Sequence, residues 1–156
     1  NGVSFIHYDN LWWAYASLGT KEVIQPFYYK PTEVENITIE GDLDTEKFNK
    51  GKEIYISTDP TEIDQYYSLA AISVSHSVAA GIERLPVGVW SKEYDEFSNR
   101  SIITCETANG RPVIEFVREE TAGVELEGTC IKVIGTDKES LRSAERLLYR
   151  WYRIMP

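Results

Sequence analysis

The sequence predicts an α/β fold in which a mixed sheet combines parallel strand-helix units with an antiparallel hairpin and carries helices packed on it, plus an N-terminal extension. Cys130 to Ile134 is an apolar run of strand length, followed by a Gly-Thr-Asp turn and then by apolar residues at helical spacing. Glu53 to Thr58 runs into Asp59-Pro60 at a second junction of this kind. Two such units favour parallel neighbouring strands with covering helices.

The chain has 156 residues, enough for one core with a small appended lobe. We expect residues 1–50 to form a helix/strand extension with a linker, and residues 51–156 to form the α/β domain. The chain begins with Asn1 and not with Met, which indicates a removed leader or a segment of a longer protein.

The charge balance excludes two classes of partner. The chain carries 16 basic and 25 acidic residues, a formal net charge of −9. Because the sequence has no dense Lys/Arg cluster, we expect no binding to nucleic acid or to an anionic membrane surface. It also has no apolar run near the length of about 20 residues that crosses a bilayer, so no direct membrane insertion is expected.

The N-terminal section is predicted to contain one helix between short strands. Val3 to Ile6 is β-prone. Asp9 is a candidate N-cap for a helix over Leu11 to Leu18, with Gly19 ending it. Val23 to Tyr29 is an edge-strand candidate, because Pro26 within it lacks a backbone donor.

Two further segments precede the predicted α/β domain. Glu33 to Glu40 alternates apolar and polar residues and predicts a half-exposed strand. The polar stretch from Gly41 to Gly51 predicts a linker.

In the main section, Asp59 followed by Pro60 predicts the start of a helix that Gly81 ends. Leu85 to Trp90 is the next predicted strand. Ser101 to Val117, with the turn dipeptide Asn109-Gly110 at its centre, predicts a hairpin.

The closing section is predicted to be two strands and a helix. Val124 to Glu127 alternates apolar and acidic residues, and Cys130 to Ile134 is the final strand. The final helix places an apolar stripe on one side. Its polar residues are expected mostly outside: Arg142, Glu145, Arg146, Arg150 and Arg153.

The two strand-helix junctions share a Thr-Asp pair, Thr58-Asp59 and Thr136-Asp137. Free N–H groups at a helix start also hold phosphate, but neither GxGxxG nor GxxxxGK[ST] occurs. We therefore favour helix capping at both junctions.

Cys105 and Cys130 both lie in strand-like runs, so a disulfide between them is one alternative and two buried thiols are the other. Asn36-Ile37-Thr38 and Asn99-Arg100-Ser101 match the N-glycosylation pattern. These sequons favour an oxidising, extracellular compartment, and with it the disulfide.

No residue set specifies a reaction. Cys105 with His76 or His7 is the one thiol–imidazole combination, and an acidic neighbour after a strand-like cysteine does not activate a thiol. We therefore name no catalytic residue.

Two groups of residues suggest binding. Four alternating carboxylates are candidate Ca²⁺ ligands, although a solvated acidic linker is favoured: Glu40, Asp42, Asp44 and Glu46. Five rings are candidates for a surface that stacks on sugar or protein, although core packing is favoured: Trp12, Trp13, Tyr28, Tyr29 and Trp90.

Two features of the chain from about Lys52 onward carry a family resemblance. They are the order of elements and the closing stretch Ile131-Lys132-Val133-Ile134-Gly135-Thr136-Asp137-Lys138-Glu139-Ser140-Leu141-Arg142-Ser143-Ala144. In both, the chain resembles the α/β domain of archaeal S-layer and S-layer-like cell-surface proteins. The resemblance covers about the last two-thirds of the chain. It implies an extracellular structural module within a longer envelope protein, with no active site.

The sequence therefore predicts a non-catalytic structural or assembly module at the cell surface, with other protein domains or copies of itself as partners. The alternative is a small-molecule or sugar-binding α/β enzyme or sensor. That alternative uses the crevice at the carboxyl ends of the strands near Thr58 and Thr136.

Overall fold

The computed structural model describes residues 3–18, 20–94 and 99–156, which form two sheets with helices between them. The strands are β1 Ser4–Tyr8, β2 Leu11–Leu18, β3 Lys21–Phe27, β4 Ile39–Leu43, β5 Glu53–Thr58, β6 Leu85–Trp90, β7 Val113–Val117, β8 Gly123–Gly128 and β9 Cys130–Ile134. The helices are α1 Pro31–Val34, α2 Thr45–Phe48, α3 Gln65–His76 and α4 Lys138–Trp151, and a π-helical segment Ser77–Gly81 continues α3.

The larger sheet has six strands in the order β4-β8-β9-β7-β5-β6. Strands β9, β7, β5 and β6 are parallel to one another, β8 is antiparallel to β9, and β4 is parallel to β8. The expected α/β fold with a mixed sheet, parallel strand-helix units and a hairpin is thereby confirmed.

The hairpin lies elsewhere than predicted. It is β8–β9, and the turn between its strands contains Gly128 at φ +59°. The dipeptide Asn109-Gly110 does form a turn with two positive φ angles, but β7 after it pairs in parallel with β5 and β9.

Residues 101–107 form no strand beyond a single bridge from Ile102 to Trp90. Local hydrogen bonds explain this difference, because the Thr104 N–H donates to Thr107 Oγ1 (2.9 Å) and closes a turn. Ser57 Oγ also donates to the Ile103 carbonyl (2.5 Å), which ties the segment to the face of β5 opposite the helices.

The predicted helix over residues 11–18 is wrong, since this stretch is β2. Asp9 and Asn10 adopt φ angles of 54° and 62°, the left-handed pair that closes a two-residue hairpin with β1. Ala14 and Ala16 are buried while their neighbours in sequence are less so, which is the two-residue period of a strand. Gly19, proposed as the helix end, lies outside the described residues.

Strand β3 is an edge of the three-stranded sheet β1-β2-β3, as Pro26 predicts. The strand predicted from Glu33 to Glu40 is wrong in its first part, because Glu33 lies in α1 and β4 begins only at Ile39. At the start of α1 the Glu33 carboxylate accepts a hydrogen bond from the Lys30 N–H (2.7 Å), and Pro31 occupies the first helical position.

Residues 41–51, expected as a linker, contain the end of β4 and the helix α2, whose Phe48 is buried. One core cluster includes side chains from both sides of residue 50, such as Val34, Ile54 and Leu141. The division into 1–50 and 51–156 stays a prediction.

Neither shared Thr-Asp pair caps a helix through its aspartate. Asp64 caps α3, with Oδ1 accepting from the Tyr67 N–H (2.9 Å), and the helix segment ends at Gly81 as predicted. Asp59 instead closes a turn with Thr61, and the Asp137 side chain makes no capping hydrogen bond to α4.

Helix α4 is buried on two sides, which the amphipathic pattern did not predict. Glu145 is fully buried and Arg146 is 9% exposed, although both were expected outside. The three-stranded sheet packs on α4 beside Glu145, and Phe27 of β3 stacks on Tyr149 at 4.0 Å. Arg146 instead contacts the end of the chain, where its Nη2 donates to the Pro156 carbonyl (2.7 Å). Among the described residues, no helix is long and apolar enough to span a membrane.

Candidate functional site

The three-stranded sheet presents one apolar face to solvent. Strand alternation and the cross-strand register bring seven side chains onto this side, with Ile6, Trp13 and Pro26 in one row and Tyr15 opposite Ile24 in the next. We call this set the outer apolar face: Ile6, Tyr8, Leu11, Trp13, Tyr15, Ile24 and Pro26.

Four members of the outer apolar face are unusually exposed for large apolar residues. Tyr8 is 70% exposed, Ile24 52%, Ile6 51% and Tyr15 48%. Scattered single apolar residues are normal on a surface, but a contiguous group on one sheet face is typical of an interaction site.

The opposite side of the same sheet is firmly docked. The Glu145 carboxylate of α4 accepts hydrogen bonds from the Tyr28 N–H (2.8 Å) and the Tyr29 N–H (2.9 Å), just after β3. Tyr149 Oη donates to the Tyr29 carbonyl (2.5 Å). These contacts satisfy backbone groups at the end of an edge strand and fix the sheet on α4.

A second buried polar group holds the middle of β3. Ser77 Oγ donates to Gln25 Oε1 (3.1 Å), and Tyr152 Oη donates to Ser77 Oγ (2.9 Å). At the start of β3, Lys21 Nζ contacts the Ala80 carbonyl (2.7 Å) and the Glu83 carboxylate (2.9 Å). The outer apolar face therefore sits on a rigid support, which lowers the entropy lost when a partner binds.

The outer apolar face is also free of the chain's acidic excess. Strands β1 to β3 contain Lys21 and Glu22 as their charged residues, whereas the whole chain has a net charge of −9. Lys30 Nζ lies 5.2 Å from the Trp12 ring centre, on the other side of this sheet.

Comparison with known proteins identifies no protein similar to this chain. No protein-family model, curated protein or solved structure matches the chain.

The five rings predicted as a stacking surface are distributed over different places. Trp13 belongs to the outer apolar face and Trp12 to the opposite side of β2, where His7 stacks on it at 4.2 Å. Tyr28 and Tyr29 follow β3 at the contact with α4. Trp90 ends β6 of the other sheet, under the Arg100 guanidinium at 4.3 Å.

The carboxyl ends of the parallel strands are bridged by Arg118, which follows β7. Its guanidinium lies 2.7 Å from an Asp64 oxygen, 3.2 Å from Glu62 and 3.5 Å from Asp137. The Tyr67 N–H and Arg118 both hold the pKa of Asp64 below its usual range. This ion cluster ties the segment between β5 and α3 to the turn before α4.

Thr58 and Thr136 border different surroundings at these strand ends. Thr58 lines a hollow of about 580 Å³ between α3 and β6, with His76 and Arg100. Thr136 is half-exposed beside Asp137, and its carbonyl accepts from the Glu139 N–H (3.0 Å).

Cys105 and Cys130 form a disulfide with their Cα atoms 5.5 Å apart, so the bonded alternative is confirmed. The bond fastens the segment after β6 onto the helix-free face of the large sheet. A second, smaller core forms there around Val89, Ile103 and Val113.

Beside the disulfide, the helix-free face carries an acidic cleft of about 540 Å³. Glu125 and Glu127 of β8 line it with Asp44 and Glu106, and Lys47 and Lys132 lie among them. Because β4 and β8 are parallel neighbours in register, Glu40 lies opposite Glu125 and Asp42 opposite Glu127.

The four predicted Ca²⁺ ligands do not converge. Glu40 and Asp42 lie on β4, Asp44 caps α2 by accepting from the Lys47 N–H (3.1 Å), and Glu46 is exposed in the first turn of α2. Within residues 3–18, 20–94 and 99–156, no group of three or more His, Cys, Asp or Glu side chains is placed to hold a metal ion.

Both sequon asparagines, Asn36 and Asn99, are exposed. Asn36 Oδ1 accepts a hydrogen bond from Arg142 Nη2 (2.7 Å). Their glycosylation stays a prediction.

The residues that sequence reasoning missed are Ile6, Tyr8, Tyr15 and Ile24. They were missed because residues 11–18 were assigned to a helix, which hid the alternation of large and small residues in Trp13-Ala14-Tyr15-Ala16. The turn-forming pair Asp9-Asn10 was the signal for a hairpin.

Proposed function

We propose that this chain is a non-catalytic structural or assembly module that associates through its outer apolar face. The observation that carries the proposal is the uncovered sheet face with four large apolar residues about half or more exposed. Folded monomers rarely expose such a contiguous patch unless it is used for binding.

The partner that fits this face is a second copy of the chain. Taking 150–250 Å² for each aromatic side chain, the face exposes on the order of 500 Å² of apolar surface. A stable interface buries about 800 Å² on each partner, so the face supplies more than half of that area and its rim has to supply the rest.

Charge favours the same pairing. Two copies that each carry −9 repel when their acidic surfaces approach. Contact through the outer side of strands β1 to β3 brings together a surface on which Glu22 is the one charged strand residue, since Lys21 lies on the other side and pairs with Glu83.

An extracellular, S-layer-like setting is part of the proposal. The Cys105–Cys130 disulfide is compatible with an oxidising compartment, and Asn36 and Asn99 are exposed sequon positions. The resemblance of the last two-thirds of the chain to archaeal S-layer domains points the same way, to a module in a longer surface protein that contacts other domains or copies of itself.

Sedimentation velocity over a range of protein concentrations tests the association. The test variant combines Tyr15→Lys with Ile24→Glu, because these residues are directly opposite and an opposite-charge pair keeps the strands paired. The control is Ile72→Lys, which charges an apolar residue on α3 that is more exposed than either test residue.

We expect the wild type and Ile72→Lys to dimerise with rising concentration and the double variant to stay monomeric. Added salt should strengthen the dimer, since it screens the repulsion between acidic surfaces while leaving the apolar contact intact. A wild type that remains monomeric at every concentration, or a double variant that dimerises equally well, would refute the proposal.

A further inference from the structure

A separate hollow of about 380 Å³ lies at the carboxyl end of α4, between that helix, α2 and the large sheet. Its volume falls in the range of about 300–1,000 Å³ of small-molecule sites. It shares no residue with the outer apolar face.

The hollow has an apolar lining and a cationic rim. Phe48 of α2, Leu126 of β8 and Leu147 of α4 line the apolar part, and Trp151 forms a wall with its ring 6.4 Å from that of Phe48. Arg150 and Arg153 stand at the rim, where both are exposed. Asp42, Thr45 and Asn49 also line the hollow, so its polar groups include one carboxylate and two neutral side chains beside the two arginines. A mostly apolar cavity with a few polar groups is the usual form of a small-molecule site.

These two arginines have no carboxylate partner among the described residues. Some other cations of the chain do have one, since Lys21, Lys92 and Arg118 each lie within 4 Å of an acidic side chain. Asp42 also lines the hollow, but it forms no ion pair with Arg150 or Arg153. In a chain of net charge −9, two cations left unpaired at one rim are a local surplus of positive charge.

The same end of α4 lacks acceptors more generally. One turn before Arg150, Arg146 is 9% exposed, and its Nε and Nη1 find no hydrogen-bond partner in the described part of the chain. Its Nη2 donates to the Pro156 carbonyl (2.7 Å). Burial and the neighbouring Arg150 lower the pKa of Arg146. The negative end of the helix dipole offsets part of this positive charge but supplies no counter-ion.

We propose that this hollow binds a small carboxylic acid with an apolar tail. The tail lies along Phe48, Leu126 and Leu147 beside Trp151, and the carboxylate pairs with Arg150 and Arg153. A guanidinium matches a carboxylate with two parallel N–H···O bonds, which a neutral alcohol of equal length does not offer. The inference goes beyond the proposed assembly function and does not depend on it.

Isothermal titration calorimetry on the whole chain tests the assignment with three probes. Octanoate has both the tail and the charge, octan-1-ol has the tail alone, and acetate has the charge alone. The test variant is Arg150→Gln with Arg153→Asn, since Arg153 has φ +58° and asparagine tolerates that conformation. The matched control is Lys138→Gln, which removes an exposed cation at the other end of α4.

Octanoate is expected to bind at least tenfold more tightly than octan-1-ol or acetate. The double variant should lower octanoate affinity at least tenfold and leave octan-1-ol affinity unchanged, while Lys138→Gln binds octanoate like the wild type. In amide NMR spectra, the indole N–H of Trp151 should shift with octanoate.

Three results would overturn the inference. They are equal binding of octanoate and octan-1-ol, unchanged octanoate binding in the double variant, and no octanoate binding at all. Circular dichroism of the double variant shows whether it is folded, and Arg150→Lys, which keeps the charge without the planar fork, should bind octanoate with intermediate affinity.

Discussion

The buried carboxyl group of Glu145 should make the free energy of unfolding depend on pH, and Glu145→Gln should remove most of that dependence. Glu145 is fully buried between α4 and the three-stranded sheet, and its two oxygens accept the Tyr28 and Tyr29 N–H groups. Burial raises its pKa to about 8 from an ordinary value of 4.5, Glu33 adds to the rise, and the two N–H groups oppose it. No cation forms an ion pair with it among the described residues.

The sign of the effect follows from proton binding. Between pH 4.5 and 8 the folded protein holds a proton at Glu145 that the unfolded chain releases, so the free energy of unfolding falls as pH rises. One pKa unit corresponds to about 1.4 kcal/mol, which gives a loss of about 4 kcal/mol between pH 5 and pH 8.

The glutamine side chain of Glu145→Gln cannot ionise. Its amide NH₂ group faces one of the two backbone N–H donors, Tyr28 or Tyr29, and cannot accept a hydrogen bond from it. The variant should therefore be about 1–2 kcal/mol less stable than the wild type at pH 5, because a buried N–H loses its acceptor. By pH 8 the order should reverse, since the wild type has by then lost about 4 kcal/mol through proton linkage at Glu145 and the variant has not.

Urea unfolding followed by circular dichroism at pH 5, 6, 7 and 8 measures these differences. The control is Glu46→Gln, which changes an exposed carboxylate in the first turn of α2. Its free energy of unfolding should vary with pH in parallel with that of the wild type. If Glu145→Gln also gives a profile parallel to the wild type, the buried carboxyl group does not have a raised pKa and the reasoning is refuted.

Three other outcomes follow from the contacts. Replacing both Cys105 and Cys130 by serine should cost about 3 kcal/mol of unfolding free energy, as expected for a 25-residue separation, and urea unfolding that matches the wild type would contradict a structural role for the bond. Gly135→Ala should cost about 2 kcal/mol or more in the same assay, because a Cβ would come within 2.6 Å of the backbone of the first turn of α4; an unchanged midpoint would show that the turn yields. Arg118→Met should raise the pKa of Asp64 in an NMR titration, because the guanidinium helps to lower that pKa in the folded protein. The variant should be less stable than the wild type at pH 7, and the difference should shrink as pH falls below about 4, where Asp64 is protonated in both proteins. An Asp64 pKa that does not change would contradict the pairing.

The sequence predicted the central strands of the large sheet because their signals are local. Strands β5, β6, β7 and β9 are apolar runs of strand length that end at turn residues, and buried parallel strands have that composition. The cysteine pair was predicted as one of two alternatives, and only the approach of β9 to the segment after β6 decided that it is bonded.

The N-terminal sheet was misassigned because the same residues satisfy two periods. Leu11, Trp12, Tyr15 and Leu18 fit a helical stripe, whereas Ala14 and Ala16 fit the alternation of a strand. Over eight residues, local propensity does not distinguish the helix from the strand. Pairing with β1 and β3, and burial of the two alanines over the helical layer, decided in favour of a strand.

By itself the sequence determined the fold class, the mixed sheet and the closing strand-helix unit, since these follow from hydrophobic period and turn residues along short stretches. Tertiary structure decided which surfaces are covered. Glu145 looks like part of the polar side of an amphipathic helix, and only the docking of a second sheet on α4 buries it. The arginine-rimmed hollow arises in the same way, because it unites residues far apart in sequence whose juxtaposition no local pattern encodes. The outer apolar face is built from residues 6–26 alone, but only the packing of the other side of that sheet on α4 decides which of its sides stays uncovered.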